Sequence, residues 1–473
     1  MIYSLTRSGK LPEVEDRQAD DNSLLRVRLF SSMEISQGRK RRRLFLILLL
    51  LAFLFRLGFG LCSEFWNEDE KQVYLIGLKY YTTGAWPYFG PDVTNTIQVP
   101  GALQGLTTGL PFYLLHIPEA PYILLNILSF AALCFFAWYC TKRLTEVPAW
   151  FIWAWLLTAP WTLNLSTHVF NPSYVLFGAI LFFVGVIETY PFLTRNLIPL
   201  HWANLMMGLA LLWVMQFHMS WPILVPFLLV SFYFQYRTQG LRVLKSLGWF
   251  AVGAILTGSF LIPTYLKYGL TGGLGSTNEV VQFNGANVLR SWNVAEGILG
   301  RFLSFASYEL PRFIGENSGT RLAFMGNNPW LIPFIILLGL VGILQPVALV
   351  VLWFRKKHAQ RDWRAMKYLT LATVCLIYLG FAFSFRPPYS HMYYIAFPIA
   401  MLYSLYCWSE YLKQPRWQKF ALVFIVSGII FSAGLAYDNF QRKSLYVDRH
   451  LPQAAINEKD YRILGERREG ARY

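Results

Sequence analysis

Between Ser63 and Tyr81 the chain reads SEFWNEDEKQVYLIGLKYY, and four carboxylates, Glu64, Glu68, Asp69 and Glu70, crowd its first turns. A carboxylate partly withdrawn from water can have its pKa raised toward the range in which it takes a proton from an attacking hydroxyl. The same acids also suit the first turn of a helix, where the macrodipole favours each by about 0.3–1 kcal/mol. Asn67 fits the cap of such a helix, with Glu70 at its third position as in a capping box. Gly84 fits its stop. The expected helix runs to about Thr83, and Val73, Tyr74, Ile76, Leu78, Tyr80 and Tyr81 suit it to lie along a membrane interface. Asp69 is the candidate base. Glu70 would hold the helix start or bond the nucleophile, while Glu64 and Glu68 read as helix-start charges. Lys71 and Lys79 read as a solvated face.

These acids stand at the mouth of LFLILLLLAFLFRLGFGLC, residues 44–62. The 473-residue chain is 55% apolar and 17% aromatic, with only 14% charged residues and a positive mean hydropathy. Soluble chains carry about 25% charged residues. Repeated apolar runs, each long enough to cross the hydrocarbon, make this an all-α polytopic membrane protein. The net charge of +16 does not imply a nucleic-acid partner, because the basic residues sit mostly in short loops and tails where they orient helices. Cys62, Cys134, Cys140, Cys375 and Cys407 have no CxxC spacing and lie in or beside apolar runs, so neither zinc nor a disulfide framework is suggested. No GxGxxG, P-loop or HExxH pattern occurs.

Eleven spans are expected, at about 44–62, 121–140, 148–165, 173–190, 201–217, 221–236, 246–265, 331–354, 368–385, 393–410 and 419–436. The loops rich in Lys and Arg then fall on one side, which the positive-inside rule makes cytoplasmic together with the N-terminus. Residues 1–43 form a basic cytoplasmic segment, 44–436 the membrane domain, and 437–473 a tail expected outside. The first span reads as a signal anchor, and Met33 as a second possible start. Two external segments are large, about 63–120 and 266–330; within the first, GALQGLTTGLPFYLLH (101–116) is too short and too polar to cross. No internal repeat is visible.

The Asp-Glu pair just outside a first span, then a Tyr-rich helix, then GAWPYFGPDV and VPGALQGL, resembles the first external loop of the GT-C membrane glycosyltransferases. The branch is that of the protein O-mannosyltransferases and lipid A aminoarabinose transferases, broadly glycosyltransferase family 39. Asp69-Glu70, Gly84 and Gly90-Pro91 match its pattern. LSTHVFNPSYVLF, MQFHMSWPILVPF and RPPYSHMYYIAFP resemble later elements of the same family, so the likeness covers about residues 44–410. One departure stands out. Many relatives carry a second acid on the next external loop, where this chain has Asn171. That argues against a metal-bridged mechanism: no cofactor and no tightly bound metal are expected, with a divalent ion left open.

The resemblance implies transfer of a sugar from a polyprenyl-phosphate donor to an envelope acceptor (lipid A, polysaccharide or protein) on the extracytoplasmic side of the inner membrane. Asp69 would act as general base and the anomeric centre would invert. Arg386, which ends a span, and His391 beside it are candidates for the donor phosphate, and each also suits an interfacial anchor. His218, in a short external turn, is a further candidate contact, as are Asn171 and Tyr74. Arg56 lies about two turns inside the first span. Snorkelling toward the interface is its plainer reading, and phosphate binding the other. Trp66, Trp86 and Tyr88 flank the expected site. The rival readings are a flippase for a lipid-linked glycan and a non-catalytic envelope assembly protein of the same fold.

Overall fold

The computed structural model describes residues 17–63, 68–94, 97–191, 193, 195–269, 283–290, 300–355, 361–383, 394–442 and 465–466. The chain divides into two units, Met1–Leu54 and Phe55–Tyr473. A helix, Arg17–Cys62, begins in the first. There Leu44, Leu46, Ile47, Leu48, Leu50 and Leu51 are each more than half exposed, as befits side chains whose solvent is hydrocarbon.

The second unit is almost wholly helical. Every apolar run expected to span coincides with helix: after the first come Ala120–Arg143, Ala149–Thr158 continued by Pro160–Ser166, Asn171–Thr189, Leu200–Met215, Leu224–Gln239 and Val243–Gly258. Ile332–Arg355, Arg361–Ala382, Phe397–Leu412 and Pro415–Arg442 complete the set. Among the described residues, six helical stretches are long and apolar enough to cross a membrane: Lys40–Cys62, Ala120–Arg143, Asn171–Thr189, Trp221–Tyr268, Pro329–Phe354 and Pro415–Gln441. Trp221–Tyr268 has 48 residues, about 70 Å of rise and so enough for two crossings. The chain is an all-α polytopic membrane protein.

Small residues set the closest helix contacts, since water gives no hydrophobic drive between helices in lipid. A Cβ on Gly208 would meet the Phe250 carbonyl oxygen at 2.0 Å, and one on Gly253 the Leu205 oxygen at 2.1 Å. The helices Leu200–Met215 and Val243–Gly258 therefore touch backbone to backbone. At the basic end of the bundle, Glu188 is fully enclosed and fully used. It accepts from Tyr139 Oη at 2.8 Å, from Arg143, and from the Leu197 and Ile198 amides at 2.8 and 3.3 Å. That carboxylate is a clamp between helices, since a buried charge is tolerated only when so satisfied.

The first external segment folds as short elements. The helix Glu68–Thr83 stops at Gly84, whose φ of +69° suits glycine and whose amide bonds the Tyr80 carbonyl at 2.9 Å. An antiparallel hairpin, Phe89–Thr94 with Ile97–Pro100, follows and was not foreseen; Thr94, Ile97 and Val99 supply the β-branched residues that favour it. Residues 101–116 make helices of only seven and four residues, Leu103–Gly109 and Pro111–Leu114. Seven residues rise about 10 Å, far short of a bilayer. Gly465 and Glu466 dock on this hairpin: the Phe89 amide bonds the Gly465 carbonyl and Gln98 Nε2 the Glu466 carbonyl, both at 3.0 Å. The Glu466 carboxylate pairs with Lys267 at 2.9 Å and accepts from Tyr268.

Candidate functional site

Adjacent positions on a helix point about 100° apart, and this separates the two expected acids. Glu70, Val73, Tyr74 and Gly77 fall at i, i+3, i+4 and i+7, one stripe, and all four are buried. Asp69 lies off that stripe and is exposed. The Glu70 carboxylate accepts a bond from the buried Tyr122 hydroxyl at 3.0 Å. Its side chain therefore reaches the bundle. Asn67, the expected cap, lies outside the described residues. The heptad spacing of 70, 73, 74 and 77 was the signal that could have assigned Glu70 to the inner face.

Tyr74 is buried on the same stripe. Its hydroxyl donates to the Pro118 carbonyl at 3.1 Å, and its ring packs edge-on against Phe112, 5.7 Å between centroids. Burial, with Glu119 close by, pushes the phenol well above its ordinary pKa, so it serves as a neutral donor. The helix is held down further by Gly77 and Gly109. A Cβ on Gly77 would meet Thr108 and the Gly109 backbone at 2.6–2.7 Å. Only glycine lets these two helices cross this closely.

Arg56 does not snorkel. It is wholly buried, donating to the Leu157 carbonyl at 3.0 Å and to Ser166 Oγ at 2.5 Å. The physical reason is the break between Ala149–Thr158 and Pro160–Ser166: the last carbonyls of a helix have no amide partner within it, and Pro160 has no N–H to offer. Arg56 answers one of those carbonyls. Other buried polar side chains lie near it. His168 bridges two carbonyls, Asn164 at 2.7 Å through Nδ1 and Ser63 at 2.9 Å through Nε2. A Cβ on Gly60 would touch Thr167 and Asn126 at 2.7–3.2 Å. Tyr394 donates to the Trp161 carbonyl at 3.2 Å and stands within electrostatic reach of both Arg56 and Arg301.

Arg301 was missed in the sequence. It is fully buried and paired with Glu309, which also meets Arg312 at 3.4 Å. An arginine set directly before Phe302-Leu303, in a segment expected to lie outside the membrane, was the available hint.

Asn171 opens the helix Asn171–Thr189 and accepts from Gln104 Nε2 at 2.5 Å. It thereby joins the external layer, since Gln104 belongs to the same short helix that crosses Gly77. His218 lies in the turn after Leu200–Met215. The Ser220 amide donates to its Nδ1 at 3.1 Å, which makes that nitrogen an acceptor in the neutral ring. The residue is half-buried, and burial pushes its pKa down to about 4. Arg386 and His391 lie outside the described residues. Among the described residues no group of three or more His, Cys, Asp and Glu is placed to hold a metal ion.

No protein-family model and no curated protein matches the chain. Among solved structures, the crystal structure of ArnT from Cupriavidus metallidurans bound to undecaprenyl phosphate is similar, with a TM-score of 0.53 over 84% of this chain and 76% of that one. Identity is 11%, so the likeness is one of fold. That shared fold agrees with the fold the sequence resemblance implied.

Proposed function

We propose that the chain is an integral membrane glycosyltransferase that takes a sugar from a polyprenyl-phosphate carrier and passes it to an envelope acceptor on the extracytoplasmic side. The observation that carries this reading is the fold shared with a protein solved with undecaprenyl phosphate bound. Supporting it, the Asp-Glu pair stands at the start of a helix outside the first span, with one acid exposed and the other held by Tyr122.

In the proposed reaction Asp69 takes the proton of the acceptor hydroxyl as its oxygen attacks the anomeric carbon. The bond from that carbon to the carrier phosphate breaks, the electron pair leaves with the phosphate, and the centre inverts. Glu70, locked through Tyr122, positions the helix start. Arg386 and His391 are assigned to the departing phosphate, where charge-assisted bonds stabilise developing charge. Asn171 and Gln104 are assigned to the acceptor side, and His218 to a neutral contact. No second acid is required, so turnover should survive EDTA.

Purified protein, labelled polyprenyl-phosphate sugar and an envelope extract test the reading. Transfer of label, retained in EDTA, is the expected result. Movement of the carrier across a vesicle bilayer without transfer would make the chain a flippase, and neither would make it an assembly protein. A reporter fused after Thr94 should read extracytoplasmic and one after Lys357 cytoplasmic; the reverse would overturn the placement of the acids.

A further inference from the structure

Asp69, Gln72 and Ile76 stand at i, i+3 and i+7 of the helix Glu68–Thr83, a stripe beside the one that faces the bundle. Two segments distant in sequence cover that stripe beyond Asp69. At Gln72 the hairpin does so, where the Asp92 amide donates to Gln72 Oε1 at 3.1 Å. At Ile76 the far end of the chain does so. A Cβ on Gly465 would lie 3.6 Å from Ile76 Cγ2 and 3.4 Å from Pro87 Cα. The bare Gly465 backbone therefore rests on the acid-bearing helix and on the approach to the hairpin.

The docking place is tied together independently of Gly465 and Glu466. The Thr264 hydroxyl, on the short helix Ile262–Tyr268, donates to the Tyr88 carbonyl at 2.8 Å. The Tyr268 ring packs 5.5 Å from that of Tyr88 and 5.2 Å from that of Phe89. The Lys267 ammonium lies 4.1 Å from the Tyr88 ring centre, a cation over an aromatic face. Four donors of this frame hold the two tail residues. The Phe89 amide and Gln98 Nε2 take their carbonyls, each at 3.0 Å, while Lys267, at 2.9 Å, and Tyr268 take the Glu466 carboxylate. Gly465 has a φ of +78°, a backbone that glycine adopts without steric cost. The hold is polar, and water reaches it: the side chains of Lys267 and Glu466 are 44% and 29% exposed. An ion pair so exposed is weak and screened by salt. Edge contacts of this kind open locally far more readily than a packed span.

We propose that Gly465 and Glu466 are a latch on the external layer. Closed, it pins the hairpin beside the helix that carries Asp69. Open, it releases the Glu466 carboxylate to water and frees the Phe89 edge of the hairpin, while the membrane bundle stays folded. The Lys267–Glu466 pair makes the balance between the two states depend on ionic strength.

Hydrogen exchange of the full chain in detergent, read by mass spectrometry, tests this without reference to any transfer activity. The Phe89 amide loses its acceptor when the latch opens, so peptides containing it report the open state. Ending the chain at Leu464 should speed its exchange at least about tenfold, the scale of a net hydrogen bond or more. Gly465→Ala, forced into a left-handed backbone, should also speed it about tenfold. Glu466→Gln keeps the backbone bonds and should speed it about threefold, as befits a half-exposed ion pair. Salt at about 1 M, where screening acts within about 3 Å, should bring wild type to the Glu466→Gln rate and leave Glu466→Gln unchanged. Exchange in the span Asn171–Thr189 should be the same in every variant, which establishes that each is folded. Unchanged exchange at Phe89 in the shortened chain, a salt response that persists in Glu466→Gln, or a rise that spreads to Asn171–Thr189 would overturn the proposal.

Discussion

Tyr122 donates its hydroxyl to Glu70 at 3.0 Å, across the joint between the interfacial helix and the span Ala120–Arg143. Two acids adjacent in sequence are thereby given different surroundings: Glu70 is sealed in the protein and Asp69 faces outward.

Asp69→Asn keeps size but loses the proton acceptor, so transfer should fall by about a hundredfold or more, as general bases contribute 10²–10⁴-fold. Its melting temperature should barely move, because a first-turn charge is worth about 0.3–1 kcal/mol. Glu70→Leu should do the opposite, costing about 1–3 kcal/mol by removing the carboxylate acceptor of the buried Tyr122 hydroxyl. Full transfer by Asp69→Asn would remove it as the base.

Arg386→Ala should raise the donor KM by about tenfold to a hundredfold, since charge-assisted bonds to phosphate are worth about 1.5–3 kcal/mol. Arg56→Met should instead lower the melting temperature, because it leaves the Leu157 carbonyl unanswered at a cost of about 1–3 kcal/mol. Arg56→Lys should not restore it, as one ammonium lacks the fork that reaches both Leu157 and Ser166. A raised donor KM in folded Arg56→Met would move the phosphate contact there.

Gly77→Ala puts a Cβ 2.6 Å from Thr108 and should destabilise by about 1–3 kcal/mol through overpacking. Gly58→Ala, with nothing within 4 Å of its Cβ, should be tolerated, which melting curves of the two variants will check.

His218 ties stability to pH. Its folded pKa of about 4 lies below the ordinary 6.5, so between those values the unfolded chain binds more protons. Its contribution is complete above about pH 6.5 and is lost as pH falls toward 4. Wild type should therefore lose stability faster than His218→Gln on acidification, the slopes differing by up to one proton. Parallel melting profiles between pH 7 and 4.5 would refute this.

Hydropathy runs and the position of Gly84 sufficed for the helical membrane class, the helical runs, the short 101–116 segment and the helix ending at Gly84. Those signals are local: a span is recognised by its own length and apolarity, and a helix stop by one glycine. The hairpin at Phe89–Pro100 was harder to see, because short strands carry weak patterns and its edge is covered by Gly465 and Glu466 from the far end of the chain.

What packing alone decided is the fate of individual polar side chains. Whether Arg56 snorkels or turns inward depends on a carbonyl freed by a helix break about a hundred residues away. Whether Glu70 serves the surface or the bundle depends on the Tyr122 hydroxyl, about fifty residues further along the chain. Burial and hydrogen bonding are set by partners distant in sequence, and no pattern within one segment encodes which distant partner arrives.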